Sequence, residues 1–373
     1  MGTTRSSPDT NAVTDDIDNK HLKAGLSCMQ GWRVEMEDGV IAKLADLTNQ
    51  TDRRKLFSIF AVFDGHSGHE VAQYCMENWG NILNDVVDEN PYLPMEAAIR
   101  KSFFVMDERI YDEKKSGDFL LLSQAWGVYE EDKKRNARKM PRVEEEEESK
   151  EQVEAEINKI KLELSEKGPD RHRNLVERCG SSAICAVIHE RTLFVANAGD
   201  SRAVLCRKDG VVVPLSEDHK PNLEREKKRI YSSGGFVSSG RVNGCLALSR
   251  GFGDFQYKNN GSIPPKAQAV TCDPDITVIE LEKEHEFLII ACDGIWDCMS
   301  SEEACKYIQD KLRDLKQKSE YQQEEKTPLS SIITNMFLEK CLAEVGDLSE
   351  VGSDNMTCIV VLFKDDLFQE DQV

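Results

Sequence analysis

The chain has 373 residues, of which 39% are hydrophobic and 31% charged, and its formal net charge is −20 at pH 7. This length suits one large domain or two ordinary ones. The excess of carboxylates argues against nucleic acid as a partner, because a phosphate backbone attracts clustered lysine and arginine, and it suits multivalent cations or basic proteins.

Residues 1–21 are polar and acidic, and we interpret them as a flexible tail. The start Met1-Gly2-Thr3-Thr4-Arg5-Ser6 fits the pattern for N-myristoylation of Gly2. A single acyl chain beside acidic residues would give only weak, reversible membrane contact. No apolar run approaches the ~18 residues of a membrane span, so the sequence predicts an intracellular protein, cytoplasmic or nuclear.

Apolar runs bounded by turn residues predict strands, and apolar residues at helical spacing predict helices. Strands are predicted at 56–63, 181–189, 192–198, 203–207, 211–215, 287–292 and 356–363. Helices are predicted at 69–87, 94–111, 302–316 and 329–345. Because short strands lie in neighbouring hairpins, with helices inserted in pairs, the pattern favours an antiparallel α+β design over a parallel sheet.

A charged block at about 127–178 interrupts this pattern, and it includes the run Glu144–Glu148. A narrow apolar stripe at helical spacing within it predicts one amphipathic helix in an insertion; it comprises Val153, Ile157, Ile160 and Leu164. Two interpretations stay open, a solvated spacer and a docking element for basic proteins. The twelve cysteines are scattered without a CxxC pair, which excludes a zinc ribbon and indicates buried reduced thiols.

Five acidic corners lie next to predicted strands or near the start of the chain. They are Glu35-Met36-Glu37-Asp38, Asp64-Gly65, Gly199-Asp200, Asp293-Gly294 with Asp297, and Ser353-Asp354-Asn355. Each alone is an ordinary turn. If all five converge, their mutual repulsion requires cations to neutralise it.

Carboxylates with a backbone carbonyl, and without a histidine or cysteine cluster, suit Mg²⁺ or Mn²⁺ rather than Zn²⁺. Two such ions roughly 3.5–4 Å apart can activate a bridging water and clamp a phosphoryl group during in-line displacement. No nucleophile from the protein is then needed. The sequence therefore points to metal-dependent phosphoryl chemistry.

Several long motifs occur in one order along the chain. They are Gly25–Asp38, Val62–Gly68, Cys179–Ala183, Ala198–Arg202, Asp218–Pro221, Arg241–Arg250, Gly253-Asp254, Cys292–Asp297 and Ser353–Met356. Together they resemble the type 2C (PPM) family of metal-dependent protein serine/threonine phosphatases, over about 22–363 apart from the charged block. In composition that block resembles the gamma-like branch of the family.

The resemblance implies an α+β fold, a four-layer αββα sandwich of two antiparallel β-sheets flanked by helices. It also implies a phosphatase domain at 22–368, a flap beside the active site at about 221–244 and a short C-terminal tail at 369–373. The implied substrates are phosphoserine and phosphothreonine in proteins. The family pattern further suggests a monomer.

The resemblance implies a role for each matching acidic residue. Asp64 would bridge both ions, with the carbonyl of Gly65 beside it. Asp293 and Asp354 would complete one ion's ligands, and Glu37 would contact the other ion, mostly through water.

Five further residues receive roles in the same way. Asp38 would orient the attacking water, and Asp200 with Asp297 would hold a third, weaker cation. Arg33 would grip the substrate phosphate with its planar fork, and His66 would be the general acid that protonates the departing alkoxide.

Cationic residues beside and within the flap would meet acidic substrate residues or form a solvated helix face: Lys220, Arg225, Lys227, Lys228 and Arg229. Ser182 stands where threonine is usual in the family, which keeps a hydroxyl. No departure from the motifs removes a proposed ligand.

Three competing hypotheses fit less well. Cys185 and Arg191 have the spacing of a cysteine-dependent phosphatase, but strand-like residues without glycine separate them. The histidine- and asparagine-based metallophosphatase motifs are absent, since Gly199-Asp200-Ser201-Arg202 lacks the histidine. A non-catalytic scaffold that kept the fold would be expected to have lost aspartates, and all of them are present.

Overall fold

The computed structural model describes residues 4–45, 56–116, 177–321, 327–347 and 350–369. Two antiparallel sheets stack face to face at its centre. The first sheet consists of β5 (Gly39–Lys43), β6 (Phe57–Phe63), β9 (Ala183–His189), β10 (Thr192–Ala198) and β16 (Asp275–Glu280), in the spatial order β16-β10-β9-β6-β5.

The second sheet has six strands. They are β2 (Val13–Asp18), β3 (Leu22–Met29), β11 (Arg202–Arg207), β12 (Val212–Pro214), β17 (His285–Ala291) and β18 (Met356–Phe363), in the order β12-β11-β17-β18-β3-β2. Every pairing in both sheets is antiparallel.

Three smaller pairings lie at the margins of the sandwich. β1 (Thr4–Asp9) pairs with β4 (Gly31–Arg33), and Thr4 lies opposite Arg33. β7 (Gly65–His66), β8 (Gly180–Ser181) and β15 (Phe252–Gly253) form a three-stranded sheet with β8 in the middle. β13 (Val237–Ser238) and β14 (Arg241–Val242) form a hairpin.

Helices cover the outer faces. They are α1 (Glu70–Glu89), α2 (Met95–Ser116), α3 (Glu224–Ser232), α4 (Asp293–Trp296), α5 (Ser301–Tyr321) and α6 (Leu329–Met336). α1 and α2 pack on the first sheet, and α5 and α6 pack on the second. Single turns of 3₁₀-helix occur at Phe255–Tyr257, Pro265–Ala267 and Asp365–Phe368.

β6 shows why these layers form. All seven of its residues are buried, because one face contacts the other sheet and the other contacts helices. Phe60 and Val62 pack between the sheets, while Phe63 packs on the helical side. There Trp79 of α1 and Phe103 of α2 meet edge to face, with ring centroids 6.0 Å apart. Each such side chain contributes about 1.5–3 kcal/mol by burial.

The predicted α+β fold, a four-layer αββα sandwich, is confirmed. Each strand and helix predicted outside the charged block coincides with an observed element, and most of their ends agree to within a few residues. The helix predicted at 329–345 ends earlier. After α6 the chain makes one π-turn at Phe337–Cys341 and becomes extended at Leu342. Tertiary contacts explain the early end, since the carbonyl of Ala343 accepts a hydrogen bond from Trp32 Nε1 at 2.9 Å.

The prediction of a flexible tail at 1–21 is wrong for the described residues, 4–21, because most of them form β1 and β2. Ile17 contacts the core between the sheets. Asp16 Oδ1 accepts hydrogen bonds from the backbone amides of Leu329 and Ser330, at 2.8 and 3.3 Å. A carboxylate at this place satisfies amides that the first turn of α6 leaves unpaired.

Several predictions concern residues outside the described ranges. They include Gly2 and its acylation, residues 370–373, and the charged block at 127–178 except for its last two residues. All twelve cysteines are within the described ranges and are free thiols, most of them buried. No helix in those ranges is both long enough and apolar enough to cross a bilayer.

Candidate metal centre

Asp64 directly follows the strand β6, and the corner that it forms is closely packed. The carbonyl of Asp64 accepts a hydrogen bond from the amide of Ser182 at 2.8 Å. A Cβ added at Gly65 would lie 2.3 Å from the carbonyl oxygen of Glu37. Only glycine therefore lets the Glu37 backbone approach this corner so closely.

The segment that carries Glu37 and Asp38 is fixed by Asn355. Its Oδ1 accepts from the amide of Glu37 at 2.9 Å, and its Nδ2 donates to the carbonyls of Gln30 and Glu35 at 2.8 and 3.1 Å. The side-chain amide thus joins the first acidic corner to the last. Glu37 Oε1 also accepts from the amide of Gly68 at 2.6 Å.

Asp293 begins α4, at the end of β17, and Asp354 precedes β18, the neighbouring strand. A Cβ at Gly294 would lie 2.0 Å from the carbonyl oxygen of Asn355. Gly294 therefore lets the corners of Asp293 and Asp354 approach closely, as Gly65 does for the corners of Asp64 and Glu37.

The carboxylates converge. Ligand atoms of Asp38, Asp64 and Cys292 all lie within 4.8 Å of one another. Burial, followed by the negative charges of Asp293 and Asp38, raises the pKa of Asp64 well above its usual range. Burial, with Asp200 and Asp354 next, does the same to the pKa of Asp293.

The same crowding raises the pKa values of Glu37 and Asp38. Burial raises the pKa of Asp38 to about 7, against the effect of the Thr357 hydroxyl, which donates to Asp38 Oδ2 at 2.6 Å. Burial also raises the pKa of Glu37, although the amide of Gly68 and the charge of Arg33 oppose it. These raised pKa values show that the crowded negative charges repel one another. Bound cations would relieve the same repulsion, so the cluster favours cation binding.

The donor set fits hard divalent cations. It consists of carboxylate oxygens and the backbone at Gly65, which suits Mg²⁺ or Mn²⁺. Cys292 is the exception. Its buried Sγ accepts from the amide of Thr357 at 3.2 Å, and burial raises its thiol pKa well above the usual range. Cys292 therefore lines the site as a neutral thiol.

Arg33 lies beside the carboxylates. Its Nη2 donates to Asp354 Oδ2 at 2.5 Å, while its Nε is buried and has no hydrogen-bond partner among the described residues. Arg33, Asp297 and Asp354 contribute to a cavity of about 160 Å³ that also includes Val351 and Ser353. The arginine and two of the predicted ligands thus share one cleft.

Asp200 and Asp297 lie near Asp293, and their charges contribute to its raised pKa. Asp200 is almost fully buried, and Lys220 Nζ donates to its Oδ2 at 2.6 Å. Burial lowers the pKa of Lys220, but the charge and hydrogen bond of Asp200 outweigh it and raise this pKa. Lys220, expected from the sequence to meet the substrate or form part of a solvated face, is instead bound to a predicted ligand.

His66 contacts Asp254, a residue to which the sequence prediction assigned no role. Its Nε2 lies 2.8 Å from Oδ2 of Asp254, which is fully buried. Burial lowers the pKa of His66, but the charge and hydrogen bond of Asp254 outweigh it, and the net shift is upward.

Residues of the predicted flap form α3 and the β13–β14 hairpin, and a buried ionic network anchors them. Glu226 of α3 is fully buried, and Arg250 donates to its two oxygens at 2.5 and 3.1 Å. Arg229 donates to it at 2.5 Å. Burial alone would raise the pKa of Glu226, but the hydrogen bond from Arg250 and the two arginine charges lower it to about 2. Arg229 therefore anchors the flap rather than serving as an exposed contact.

Comparison with known proteins shows the family of the chain. The sequence model described as "Protein phosphatase 2C" matches residues 22–128 and 123–328. A "Probable protein phosphatase 2C 21" of Arabidopsis thaliana is 39% identical over 98% of this chain and 93% of its own length. A "Protein phosphatase 2C homolog 2" of Schizosaccharomyces pombe is 34% identical over 97% of this chain and 79% of its own length.

Solved structures share the fold. A phosphatase from Toxoplasma gondii superposes with a TM-score of 0.61 at 21% identity, over 95% of each chain. A "serine-threonine phosphatase 2C" from the same organism gives a TM-score of 0.52 at 18% identity, over 94% of this chain and 99% of that one. The likeness of the acidic block to the gamma-like branch stays a prediction.

Proposed function

The chain belongs to the protein phosphatase 2C family and is a metal-dependent protein serine/threonine phosphatase, and from that premise we propose which of its residues hydrolyse the phosphoester and how. The single observation that carries the proposal is the convergence of carboxylates on Asp64. The charges of Asp293 and Asp38 raise the pKa of Asp64, and the charge of Asp354 raises the pKa values of all three.

Two Mg²⁺ or Mn²⁺ ions are the cofactors that this cluster suits. Asp64 would contact both, with the Gly65 carbonyl beside it; Asp293 and Asp354 would hold one ion and Glu37 the other. When bound, the ions supply an activated water and neutralise negative charge on the phosphoryl group. A third and weaker ion would lie between Asp200 and Asp297, where Lys220 now supplies the positive charge.

Arg33 binds the phosphate of the substrate. Its guanidinium has five donors, of which one is engaged by Asp354 and the buried Nε is unpaired within the described residues. Donors therefore remain for two phosphate oxygens at once, which a planar fork satisfies well.

Asp38 orients the attacking water and accepts its proton. The Thr357 hydroxyl donates to Oδ2 of this carboxylate and fixes its orientation, as a group that accepts a proton from a bound water requires. His66 protonates the serine or threonine oxygen as it departs. The substrates are phosphorylated proteins, as the family implies.

The test is hydrolysis of a phosphothreonine peptide with Mn²⁺, with EDTA, and with Asp293→Asn. We expect activity to require added metal and to fall at least about 100-fold in the variant. Asp209→Asn, in an exposed hairpin turn, is the matched control and should keep full activity. Calorimetric titration with Mn²⁺ provides a second readout, in which Asp293→Asn should lose a high-affinity site. Metal-independent hydrolysis would refute the assignment, and so would unaltered Mn²⁺ binding by the variant.

Further proposals concern parts of the chain outside the described residues. They are N-myristoylation of Gly2 with weak membrane contact, and binding of basic proteins by the acidic block. We also propose a monomer that acts in the cytoplasm, the nucleus or both. Mass spectrometry of protein from a eukaryotic host tests the first, and deletion of residues 130–173 tests the second through partner binding.

A further inference from the structure

The contact between His66 and Asp254 joins a partly exposed imidazole to a fully buried carboxylate. The distance from Nε2 to Oδ2 is 2.8 Å, and the side chains are 24% and 1% exposed. Because Asp254 engages Nε2, the ring nitrogen left for a substrate is Nδ1. The pair therefore has one buried end and one partly exposed end.

The backbone holds Asp254 in a conformation that few non-glycine residues adopt. Its φ and ψ are 53° and 38°, in the left-handed region, at a cost on the order of 1 kcal/mol. Its amide donates to the carbonyl of Cys179 at 3.0 Å. Asp107 of α2 accepts from the amide of Gly253 at 2.9 Å and from Lys258 Nζ at 2.8 Å. A buried ion pair thus fixes the loop that presents the carboxylate.

Gly180 keeps the space between the two side chains clear. In the small three-stranded sheet it lies opposite both His66 and Gly253. A Cβ at this position would be 2.2 Å from Asp254 Oδ2 and 2.7 Å from His66 Nε2. Any larger residue would therefore push the pair apart.

Stability alone does not explain the arrangement. Asp254 Oδ1 is buried and has no hydrogen-bond partner among the described residues. A buried carboxylate with one partner is a poor stabilising group, because desolvation outweighs much of the gain. A role that needs one well-directed hydrogen bond accounts for it better.

We propose that Asp254 is the positioning residue for His66, holding the imidazole by Nε2 so that Nδ1 is presented to the leaving oxygen of the substrate. This inference rests on the proposed function, since it takes His66 as the acid. Water adds its oxygen to phosphorus while the bond from phosphorus to the serine or threonine oxygen breaks. That oxygen keeps the electron pair and takes the proton of His66. The proton released by the water passes to Asp38, and Asp254 stays ionised throughout.

Two substrates with different leaving groups test the proposal. A phosphothreonine peptide releases an alkoxide, which needs a proton, whereas p-nitrophenyl phosphate releases a stable anion, which does not. We expect Asp254→Asn to lower kcat at saturating Mn²⁺ about 30- to 100-fold on the peptide and less than about threefold on the aryl ester. His66→Gln should show the same selectivity, and the double variant should be no slower than His66→Gln alone.

The matched control is Asp275→Asn. Asp275 accepts from a second histidine, His219, at 3.1 Å. Its loss should change both kcat values by the same factor. Gly180→Ala is a second test that retains every ionisable group, and it should reproduce the selective loss on the peptide. Thermal unfolding of each variant checks that it is folded.

The failures are distinguishable. If His66→Gln is selective but Asp254→Asn and Gly180→Ala slow both substrates equally, Asp254 is not the positioning residue while His66 remains the acid. Full additivity in the double variant leads to the same conclusion. If His66→Gln itself slows both substrates equally, the proposed acid is wrong, and the inference falls with it.

Discussion

Lys220 donates from its ammonium group to Asp200 at 2.6 Å, so a lysine of this chain lies where the sequence assigns a third cation. Lys220 and the third cation that we propose would compete for this one carboxylate. Their competition can be measured.

We expect Lys220→Met to bind its weakest Mn²⁺ ion about tenfold more tightly than the wild type, because the carboxylate loses its internal counter-charge. Isothermal titration calorimetry with Mn²⁺ measures this directly. Lys208→Met removes an exposed lysine paired with Asp365 at 3.8 Å and serves as the control. Equal or weaker binding by Lys220→Met would show that the lysine does not occupy the third position.

Gly65→Ala should destabilise the protein by about 2–4 kcal/mol, since its Cβ would lie 2.3 Å from the Glu37 carbonyl oxygen and the backbone would have to move. Phosphopeptide hydrolysis should fall with it, because the corner carries Asp64. Gly261→Ala is the matched control, since a Cβ there meets nothing within 4 Å. Chemical denaturation measures both variants. A Gly65→Ala protein as stable as the control would contradict the close packing described.

The flap should lose its anchor in acid. The folded-state pKa of Glu226 is about 2, below its ordinary value of 4.5, so its stabilising effect is present above pH 4.5 and is lost as pH falls towards 2. The contribution is on the order of 3 kcal/mol. The protection of the α3 amides from hydrogen exchange, relative to their intrinsic exchange rates at each pH, should therefore fall over this window in the wild type. In Glu226→Gln the exchange should be fast already at pH 7, and identical profiles for the two proteins would rule out the anchor.

Metal-free protein should become less stable as pH rises. The folded-state pKa of Asp38 is raised to about 7 from 3.8, so ionisation opposes folding increasingly from about pH 4 to pH 7. In EDTA we expect Tm to fall across this range, and Asp38→Asn to remove part of the fall, on the order of 2 kcal/mol. Saturating Mn²⁺ should abolish the difference or reverse it. A flat wild-type profile in EDTA would mean that the carboxylates are not crowded.

β6 was predictable because it is buried on both faces and reads as a continuous apolar run. β2 was missed for the opposite reason. It is an edge strand whose side chains are mostly exposed, and its acidic composition resembles that of a solvated tail. The function of Asp16 as a cap for α6 depends on a contact across 313 residues of sequence.

The acidic corners were predictable because an aspartate at the end of a buried strand has a fixed place in the fold. Their supporting contacts were not. Asn355 joins Glu37 across 318 residues, and Asp254 joins His66 across 188. The only local signal was that both residues stand inside motifs without a ligand role. Local pattern identifies side chains that point into a cleft, whereas the partners behind them are set by tertiary packing.

The antiparallel pairing of Thr4 with Arg33 brings the beginning of the chain beside the arginine that we assign to phosphate binding. Removal of β1 would therefore leave one edge of β4 unpaired and loosen the strand that carries Arg33. Shortened versions of the enzyme should therefore keep residues 4–9.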